Sequence, residues 1–361
     1  MTDETTKIKL EDLGYDEFFD SKYRSSGLEG LSIGRVVAEH KEAYRVKSPN
    51  GEYLAKITGK QIFKAVKRAD YPAVGDWVAI SELDGKKAVI RHILPRKTIL
   101  KKKYSDKQDA QVIAANIDTA FIVEAMDRDY NLNRLERYLV LTNEAGIEPV
   151  IVLNKTDLIP EIELDQRIKE IKNRFGEIDV LRTSAVENRG LDELTNRISK
   201  GKTYCFLGSS EVGKSSLINK LLKKNAIETR EISGSTGKGR HTTTTREMYF
   251  LESGGIVIDN PGTREVGITE AGTGIEHVFD EIISLSQKCK YVDCAHVREP
   301  GCAVLQALRE GKLDKAKYEN YIKLRKENEF YEMTDADKKK KERRFGKFLK
   351  KAIDQLKELE S

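Results

Sequence analysis

The N-terminal part of the chain alternates apolar and polar positions in short runs, a pattern typical of β-strands. The runs within 31–98 are GRVVAEH, AYRVKS, EYLAKITG, DWVAISE and KAVIRHIL, and the turn signals PNG, AVGD and LDGK separate them. This spacing predicts a small antiparallel β-barrel over 31–100, and an oligonucleotide/oligosaccharide-binding (OB) fold fits it best. A generic β-sandwich without a ligand is the alternative. Residues 1–30 are polar and aromatic without clear periodicity, so we predict a loosely structured lead-in.

From about residue 112 the pattern changes to continuous apolar runs that alternate with helical segments. IDTAFIVEA and PVIVLNK have the texture of buried strands, and LNRLERYLVLTNEA between them has helical spacing. Further strands are predicted at DVLRTSA, KTYCFLG, MYFLES and GIVIDN. These alternating elements predict an α/β domain with a mostly parallel sheet over 101–275. The remaining residues, 276–361, are mostly helical in pattern and form a predicted third domain.

Composition limits the class of protein further. A chain of 361 residues is long enough for two or three domains, and 64 Lys and Arg against 59 Asp and Glu leave a net charge of only +5. Four cysteines are too few for a disulfide framework. The amino terminus is polar and acidic, and no run approaches the roughly 20 apolar residues that a membrane span needs. We therefore expect a soluble cytoplasmic protein.

The segment GSSEVGKS has the spacing of a phosphate-binding loop between a strand and a helix. Glycines allow the backbone N–H groups to point at phosphate oxygens, and the helix N-terminus adds partial positive charge. Lys214 is predicted to neutralise the β- and γ-phosphates, and Ser215 to offer its hydroxyl to Mg²⁺. A chance glycine-rich turn is the alternative. The predicted contacts of this loop are Gly208, Ser209, Ser210, Glu211, Val212, Gly213, Lys214, Ser215 and Ser216.

Base recognition is predicted at the tetrapeptide NKTD, which follows the strand PVIVL. The Asp157 carboxylate can accept two hydrogen bonds from the N1–H and N2–H₂ edge of guanine, which adenine lacks. Asn154 can bond the other edge of the purine, and the aliphatic stem of Lys155 can cover its face. A surface turn explains this tetrapeptide alone equally well. Ser184 and Ala185, which follow the strand DVLR where a second guanine-contacting loop belongs, favour guanine.

The segment DNPG follows the strand GIVI, where a P-loop protein needs an acidic residue to complete the magnesium shell. Asp259 is predicted to reach Mg²⁺ through water and Gly262 to sense the γ-phosphate, with an ordinary type I or II turn as the alternative. Between the loops, residues 234–247 are rich in glycine and threonine. We predict nucleotide contacts at Thr242 and Thr243, with one of Thr242, Thr243 and Thr244 as the switch residue.

A water-orienting glutamine, common in GTPases after this glycine, is replaced by Thr263. Intrinsic hydrolysis is therefore expected to be slow, and His241 is a candidate catalytic substitute. A purely structural role for this loop histidine is the alternative.

Three cysteines and a histidine lie within 14 residues, at Cys289, Cys294, His296 and Cys302. Three thiolates and one imidazole form the ligand set of a closed, tetrahedral structural zinc site. Unrelated reduced cysteines are the alternative.

The terminal segment after KKKKERR has helical apolar spacing with concentrated positive charge. This pattern is compatible with a solvated helix, a nucleic-acid contact or a membrane-surface anchor.

The base-reading motifs precede the phosphate loop, the reverse of the order in Ras-like P-loop GTPases, which indicates circular permutation. The sequence resembles the ribosome small subunit-dependent GTPase A family (RsgA, YjeQ or YloQ). The resemblance is carried by the Cys/His cluster and by the segments PAVGDWV, NLNRLERYL, NKTDL, GSSEVGKSSLIN, GRHTTTT and DNPGTRE. The resemblance implies an OB barrel, a permuted GTPase domain, a zinc-binding helical domain and late maturation of the small (30S) ribosomal subunit. It also implies contact with rRNA, hydrolysis stimulated by the subunit and a catalytic role for His241. We expect a monomer without stable membrane association. A GTP-controlled RNA-binding or membrane-surface module with negligible turnover is the alternative function.

Overall fold

A computed structural model of the chain describes residues 8–40, 43–103, 110–127, 130–224, 226–227, 246–259, 267, 271–334, 336–337, 340 and 343. The described part begins with a 3-10 turn (Glu11–Leu13) and the helix α1 (Glu17–Ser25). The Asp16 side chain accepts a hydrogen bond from the Phe18 backbone N–H, which satisfies one of the free donors at the start of α1.

The lead-in packs against the barrel, so the prediction of a loosely structured segment was wrong for residues 8–30. Leu13, Tyr15 and Phe19 are buried in a cluster with Trp77 and Leu94. The Tyr15 and Trp77 rings meet edge to face at a centroid distance of 4.8 Å. Because the helix has nine residues and buries only Phe19, it leaves almost no periodic signal in the sequence.

Five strands form the barrel that follows. They are β1 (Ser32–Glu39), β2 (Tyr44–Ser48), β3 (Gly51–Ile57), β4 (Trp77–Leu83) and β5 (Lys87–Ile93), with the short helix α2 (Gly59–Lys64) between β3 and β4. The pairing order is β1-β2-β3-β5-β4, and β4 returns to β1, so the barrel is closed. Alternate residues such as Val36, Val46 and Ile80 fill its interior.

This closed barrel confirms the predicted OB-like fold and excludes the open sandwich. One pairing differs from the antiparallel expectation, because β3 and β5 run parallel. β4 runs antiparallel to β1, and its hairpin partner β5 must then point in the direction of β3.

A two-stranded antiparallel ribbon connects the barrel to the second sheet. It consists of β6 (Ile99–Lys103) and β7 (Ala110–Ala115). The second sheet contains β8 (Thr119–Ala125), β9 (Glu148–Asn154), β10 (Val180–Arg182), β11 (Thr203–Leu207), β12 (Glu247–Phe250) and β13 (Ile256–Asp259). Their order is β10-β9-β8-β11-β13-β12, and only the β12–β13 pair is antiparallel.

Helices cover both faces of this sheet, as expected for strands with continuous apolar runs. They are α3 (Leu132–Glu144), α4 (Glu161–Phe175), α5 (Leu191–Asn196) and α6 (Lys214–Leu222). Neighbouring residues of β8 belong to different hydrophobic clusters, since Phe121 packs on one face and Ile122 on the other. The predicted α/β domain with a mostly parallel sheet is confirmed. β8, β9 and β10 precede the strand of the phosphate loop, β11, which is the permuted order.

Four helices follow β13 among the described residues: α7 (Gly272–Val278), α8 (Asp280–Ser286), α9 (Ala303–Arg309) and α10 (Lys315–Glu332). α10 lies against α3, where Arg137 donates two hydrogen bonds to the Glu327 carboxylate at 2.8 and 2.7 Å. Within the described residues, no helix is both long and apolar enough to cross a membrane. The predicted terminal helix near residues 345–359 lies outside the described residues.

The barrel and the second sheet meet at two places. β1 pairs with β12 through Ala38 and Glu247, and the Arg45 guanidinium forms an ion pair with Glu247. On the other side, the buried Arg35 guanidinium donates from Nη1 to the Leu13 carbonyl at 2.6 Å and from Nη2 to the Asn116 carbonyl at 3.1 Å. Arg35 therefore joins the lead-in, the barrel and the segment that leads into β8.

Candidate nucleotide-binding site and zinc site

The predicted phosphate loop connects β11 to α6, at the carboxyl end of a central strand of the sheet. Gly208 and Gly213 have φ angles of +147° and +95°, in the region that favours glycine. A Cβ atom at Gly208 would lie 2.4 Å from the Val123 carbonyl oxygen, and one at Gly213 would lie 2.2 Å from the Asn154 Nδ2. Both glycines are therefore required by backbone conformation and by close packing against neighbouring strands.

Lys214 begins α6, and its side chain folds back into the loop. The Nζ atom lies 2.9 Å from the Gly208 carbonyl oxygen and 2.5 Å from that of Ser209. Burial lowers the pKa of Lys214 to about 8, and the negative charge of Asp259 opposes this shift. The loop thus holds a poorly solvated ammonium group where a phosphate would neutralise it. Ser215 and Ser216 lie half-buried in the first turn of the same helix.

Asp259 ends β13, which pairs in parallel with β11. Burial raises the pKa of its carboxyl group, and the positive charge of Lys214 lowers it. The structure therefore brings an acidic strand end beside the phosphate loop, as expected for a water-mediated magnesium contact.

Asn154 joins the base-reading loop to the phosphate loop. It ends β9, and its Nδ2 donates to the Val212 carbonyl oxygen at 2.8 Å. Its Oδ1 accepts a hydrogen bond of 3.1 Å from the Thr183 hydroxyl, in the second predicted base-reading loop. Ser184 in turn donates to the Asp157 carboxylate. The three motifs, separated along the chain, thus form one continuous hydrogen-bonded group.

Lys155 takes a left-handed backbone conformation, with φ of +60°. Its Nζ lies 3.0 Å from the Asp127 Oδ2, so the two side chains form a partly exposed ion pair. Asp127 lies two residues after the end of β8 and was not among the predicted site residues. Its position after the carboxyl end of a strand next to β9 is the signal that could have identified it, because such strand ends share one edge of a parallel sheet. Ala185 lies buried at the same edge.

Four predicted contacts lie outside the described residues: His241, Thr242, Thr243 and Gly262. Their roles remain predictions, as does the identity of the switch threonine.

The predicted zinc ligands converge in a loop between α8 and α9. The ligand atoms of Cys289, Cys294, His296 and Cys302 all lie within 4.8 Å of one another. With Zn–S bonds of about 2.3 Å and a Zn–N bond of about 2.0 Å, tetrahedral geometry places two sulfurs about 3.8 Å apart and a sulfur and a nitrogen about 3.5 Å apart. The Cys289 and Cys302 sulfurs are 3.8 Å apart, and the His296 Nδ1 lies 3.6 and 3.5 Å from them. The cluster therefore has the dimensions of a Cys₃His zinc site.

Hydrogen bonds from neighbouring groups fix the backbone of the loop between α8 and α9 that carries the Cys₃His cluster. Glu299 accepts backbone N–H groups from Ala295, Val297 and Arg298. These backbone hydrogen bonds lower the pKa of Glu299 to about 2. On α10, the Tyr318 hydroxyl donates to the His296 carbonyl oxygen at 2.6 Å. The loop is thus fixed to α10 beside its ligands.

The sheet order and the loops at its carboxyl edge define a circularly permuted P-loop GTPase. The family described as RsgA GTPase matches residues 93–269. The "Small ribosomal subunit biogenesis GTPase RsgA 1" of Bacteroides thetaiotaomicron is 40% identical over 352 residues, which cover 97% of each chain. A second relative, "Small ribosomal subunit biogenesis GTPase RsgA" of Opitutus terrae, is 39% identical over 336 residues, or 90% of each chain. The chain belongs to the RsgA GTPase family.

Solved structures show the same architecture. The crystal structure of YjeQ from Thermotoga maritima has a TM-score of 0.58 at 30% identity, covering 81% of this chain and 96% of that one. The structure of YloQ, described as a circularly permuted GTPase, has a TM-score of 0.57 at 24% identity, over 86% of this chain and 99% of that one. Family membership makes the chain a GTP hydrolase, which implies GTP as substrate, GDP as product and Mg²⁺ as the cation.

Proposed function

We propose that the chain is a GTPase of late small (30S) ribosomal subunit maturation, which binds the subunit through its rRNA in the cytoplasm. The observation that carries the proposal is the hydrogen-bonded group of Asn154, Thr183 and Val212, which joins two base-reading loops to the phosphate loop. Relatives that cover 97% and 90% of this chain are named for small ribosomal subunit biogenesis. The phosphate loop, Asp259 and the two base-reading loops lie at one edge of the sheet, which supports a switch with turnover rather than a passive binding module.

Guanine recognition is proposed for the loops that follow β9 and β10. The Asp157 carboxylate accepts from the N1–H and N2–H₂ edge of guanine, and the Ala185 backbone N–H faces the guanine oxygen. Ser184 holds Asp157 through its hydroxyl, and Asp127 holds the Lys155 side chain that covers the ring. The same donors and acceptors would leave an adenine edge unsatisfied.

Phosphate and cation binding are proposed for the loop after β11 and the end of β13. Bound phosphates replace the two carbonyl groups that Lys214 contacts, and they restore its full positive charge. Ser215 and Asp259 would hold Mg²⁺ through their side-chain oxygens, and the ion would supply positive charge beside the phosphates. We also propose His241 as a catalytic residue and Thr242, Thr243 and Gly262 as sensors of the γ-phosphate.

A structural zinc ion is proposed for the Cys₃His cluster, because four protein ligands leave no open coordination position. Zinc then stabilises a loop with few apolar residues. We expect about one zinc per chain by metal analysis of undenatured protein, and a clear loss in a Cys302→Ser variant. A stoichiometry near zero in the unsubstituted protein would contradict the assignment.

Co-sedimentation with small ribosomal subunits tests the proposed partner. The protein is mixed with subunits in the presence of a non-hydrolysable GTP analogue or GDP, and the bound fraction is measured after centrifugation. We expect stronger binding with the GTP analogue, because nucleotide state changes the surface that meets the subunit. Equal binding with both nucleotides contradicts the coupling, and the absence of binding contradicts the proposed partner.

A further inference from the structure

A short apolar and basic segment of the barrel lies between β3 and β4. It comprises residues 59–67, that is, α2 and the turn that follows it, and is here called the α2 knob. Phe63 is 92% exposed, Val66 88% and Ile62 51%, and no residue of α2 is buried. Three large apolar side chains in water on one short element are unusual for a surface without a partner.

The exposure of the knob does not come from a frayed helix. Thr58 and Gln61 form a capping box, in which the Thr58 hydroxyl accepts from the Gln61 backbone N–H at 3.2 Å and Gln61 accepts from the Thr58 N–H at 2.8 Å. The Gln61 side chain also donates to the Arg91 carbonyl oxygen of β5 at 3.1 Å. After the helix, the Asp70 carboxylate accepts the backbone N–H groups of Val66 and Lys67. Phe63 is thus presented on a fixed support.

The charge around these apolar side chains is mostly positive, and the nearby Asp70 carboxylate accepts the backbone N–H groups of Val66 and Lys67. Residues 56–68 contain five basic residues and no acidic residue: Lys56, Lys60, Lys64, Lys67 and Arg68. Lys60 and Lys64 are four apart, so they lie on the same face of α2, where two like charges destabilise a helix. Neither forms an ion pair with any residue that the structure describes. An anionic partner would relieve the repulsion between Lys60 and Lys64.

We propose that the α2 knob binds single-stranded RNA, with a base stacked on the Phe63 ring and the backbone phosphates beside Lys60 and Lys64. Exposed aromatic rings within a basic surface are the usual elements of single-strand recognition, because every base has a face that can stack. A protein partner fits less well, since a specific protein interface needs about 800 Å² per side. The inference rests on the proposed function, because the RNA it implies is an unpaired segment of the subunit rRNA.

Stacking is tested by three substitutions of Phe63 in the full-length chain. The probe is a short labelled oligoribonucleotide without secondary structure, and the readout is its dissociation constant. Phe63→Ala and Phe63→Leu are expected to weaken binding by about 5- to 150-fold, and Phe63→Trp to preserve it. Ile162→Ala is the matched control, since Ile162 is another exposed apolar residue on a different helix. Guanine-nucleotide affinity should not change in any variant.

The phosphate contacts are tested by salt dependence. We measure how the association constant for the oligoribonucleotide falls with salt concentration. On logarithmic axes, the magnitude of this slope should be smaller by about 1.4 in a variant with both Lys60→Gln and Lys64→Gln, because each neutralised phosphate of a single strand contributes about 0.7.

Wild-type binding by Phe63→Ala overturns the stacking proposal. Wild-type binding by Phe63→Leu also overturns it, because an apolar side chain without a ring would then suffice, as for a protein surface. The same variants are assayed for binding to small subunits. If the unsubstituted protein binds subunits and the variants bind equally well, only the knob proposal fails. If the unsubstituted protein does not bind subunits, the proposed function fails with it.

Discussion

Replacing Gly213 by alanine tests whether the phosphate loop and the base-reading loop depend on one close contact. Gly213 has φ of +95°, and left-handed backbone costs an alanine about 1–2 kcal/mol. The added Cβ would lie 2.2 Å from the Asn154 Nδ2, so the amide must move by about 1 Å to restore van der Waals contact. That movement breaks the bond to the Val212 carbonyl and weakens the bond from Thr183, at about 1 kcal/mol each.

The expected loss of unfolding free energy for Gly213→Ala is therefore about 2–4 kcal/mol, measured by denaturant titration without nucleotide. Guanine-nucleotide affinity should fall about 5- to 30-fold, because a displaced Asn154 loses one or two hydrogen bonds to the purine.

Gly176→Ala is the matched control for this prediction. Gly176 has φ of +73° but no heavy atom within 4 Å of its added Cβ. Its ψ of −145° differs from the 18° of Gly213, so Gly176→Ala also carries a backbone cost, of a different size, but it should leave nucleotide affinity unchanged. If both variants bind guanine nucleotides like the unsubstituted protein, the proposed link between the loops is refuted.

Three further predictions concern the lead-in, the ion pair at the base-reading loop and the charge of the phosphate loop. Phe19→Ala should reduce the free energy of unfolding by about 3–5 kcal/mol, because the ring is buried against Trp77, and an unchanged denaturation midpoint would show that the lead-in is dispensable. Asp127→Ala should weaken guanine-nucleotide binding by about fivefold and Asp127→Glu should restore it, and equal affinity in all three proteins would remove Asp127 from the site. Nucleotide affinity should fall about tenfold between pH 7 and pH 9, because the free protein loses the Lys214 charge above its pKa of about 8, and Lys214→Arg should abolish that fall.

Local patterns were sufficient to predict most of the sheet and the loops at its edge. The run TAFIVEA is apolar except for Thr119 and Glu124, without a regular polar alternation, so it indicates a strand buried on both faces. The glycine spacing of 208–213 identifies a phosphate loop between a strand and a helix. The four residues of the Cys₃His cluster were also predictable, because their side-chain chemistry and spacing are local.

Features that depend on distant contacts were not predicted. The lead-in is ordered by packing of Leu13 and Phe19 on Trp77, and no periodic signal accompanies so short a helix. The Asp127–Lys155 pair joins residues 28 positions apart, and only the parallel strand order brings them together. Strand direction was missed at β3 and β5 because alternation of apolar and polar residues is the same in parallel and antiparallel pairs.

We propose that the permuted nucleotide site hydrolyses GTP in response to the small ribosomal subunit. The most direct measurement is the rate of phosphate release from GTP with and without small subunits, for the unsubstituted protein and Lys214→Ala. We expect a slow rate for the protein alone, a large acceleration by subunits, and no turnover above background for Lys214→Ala under either condition. Equal rates with and without subunits, or normal turnover by Lys214→Ala, would contradict it.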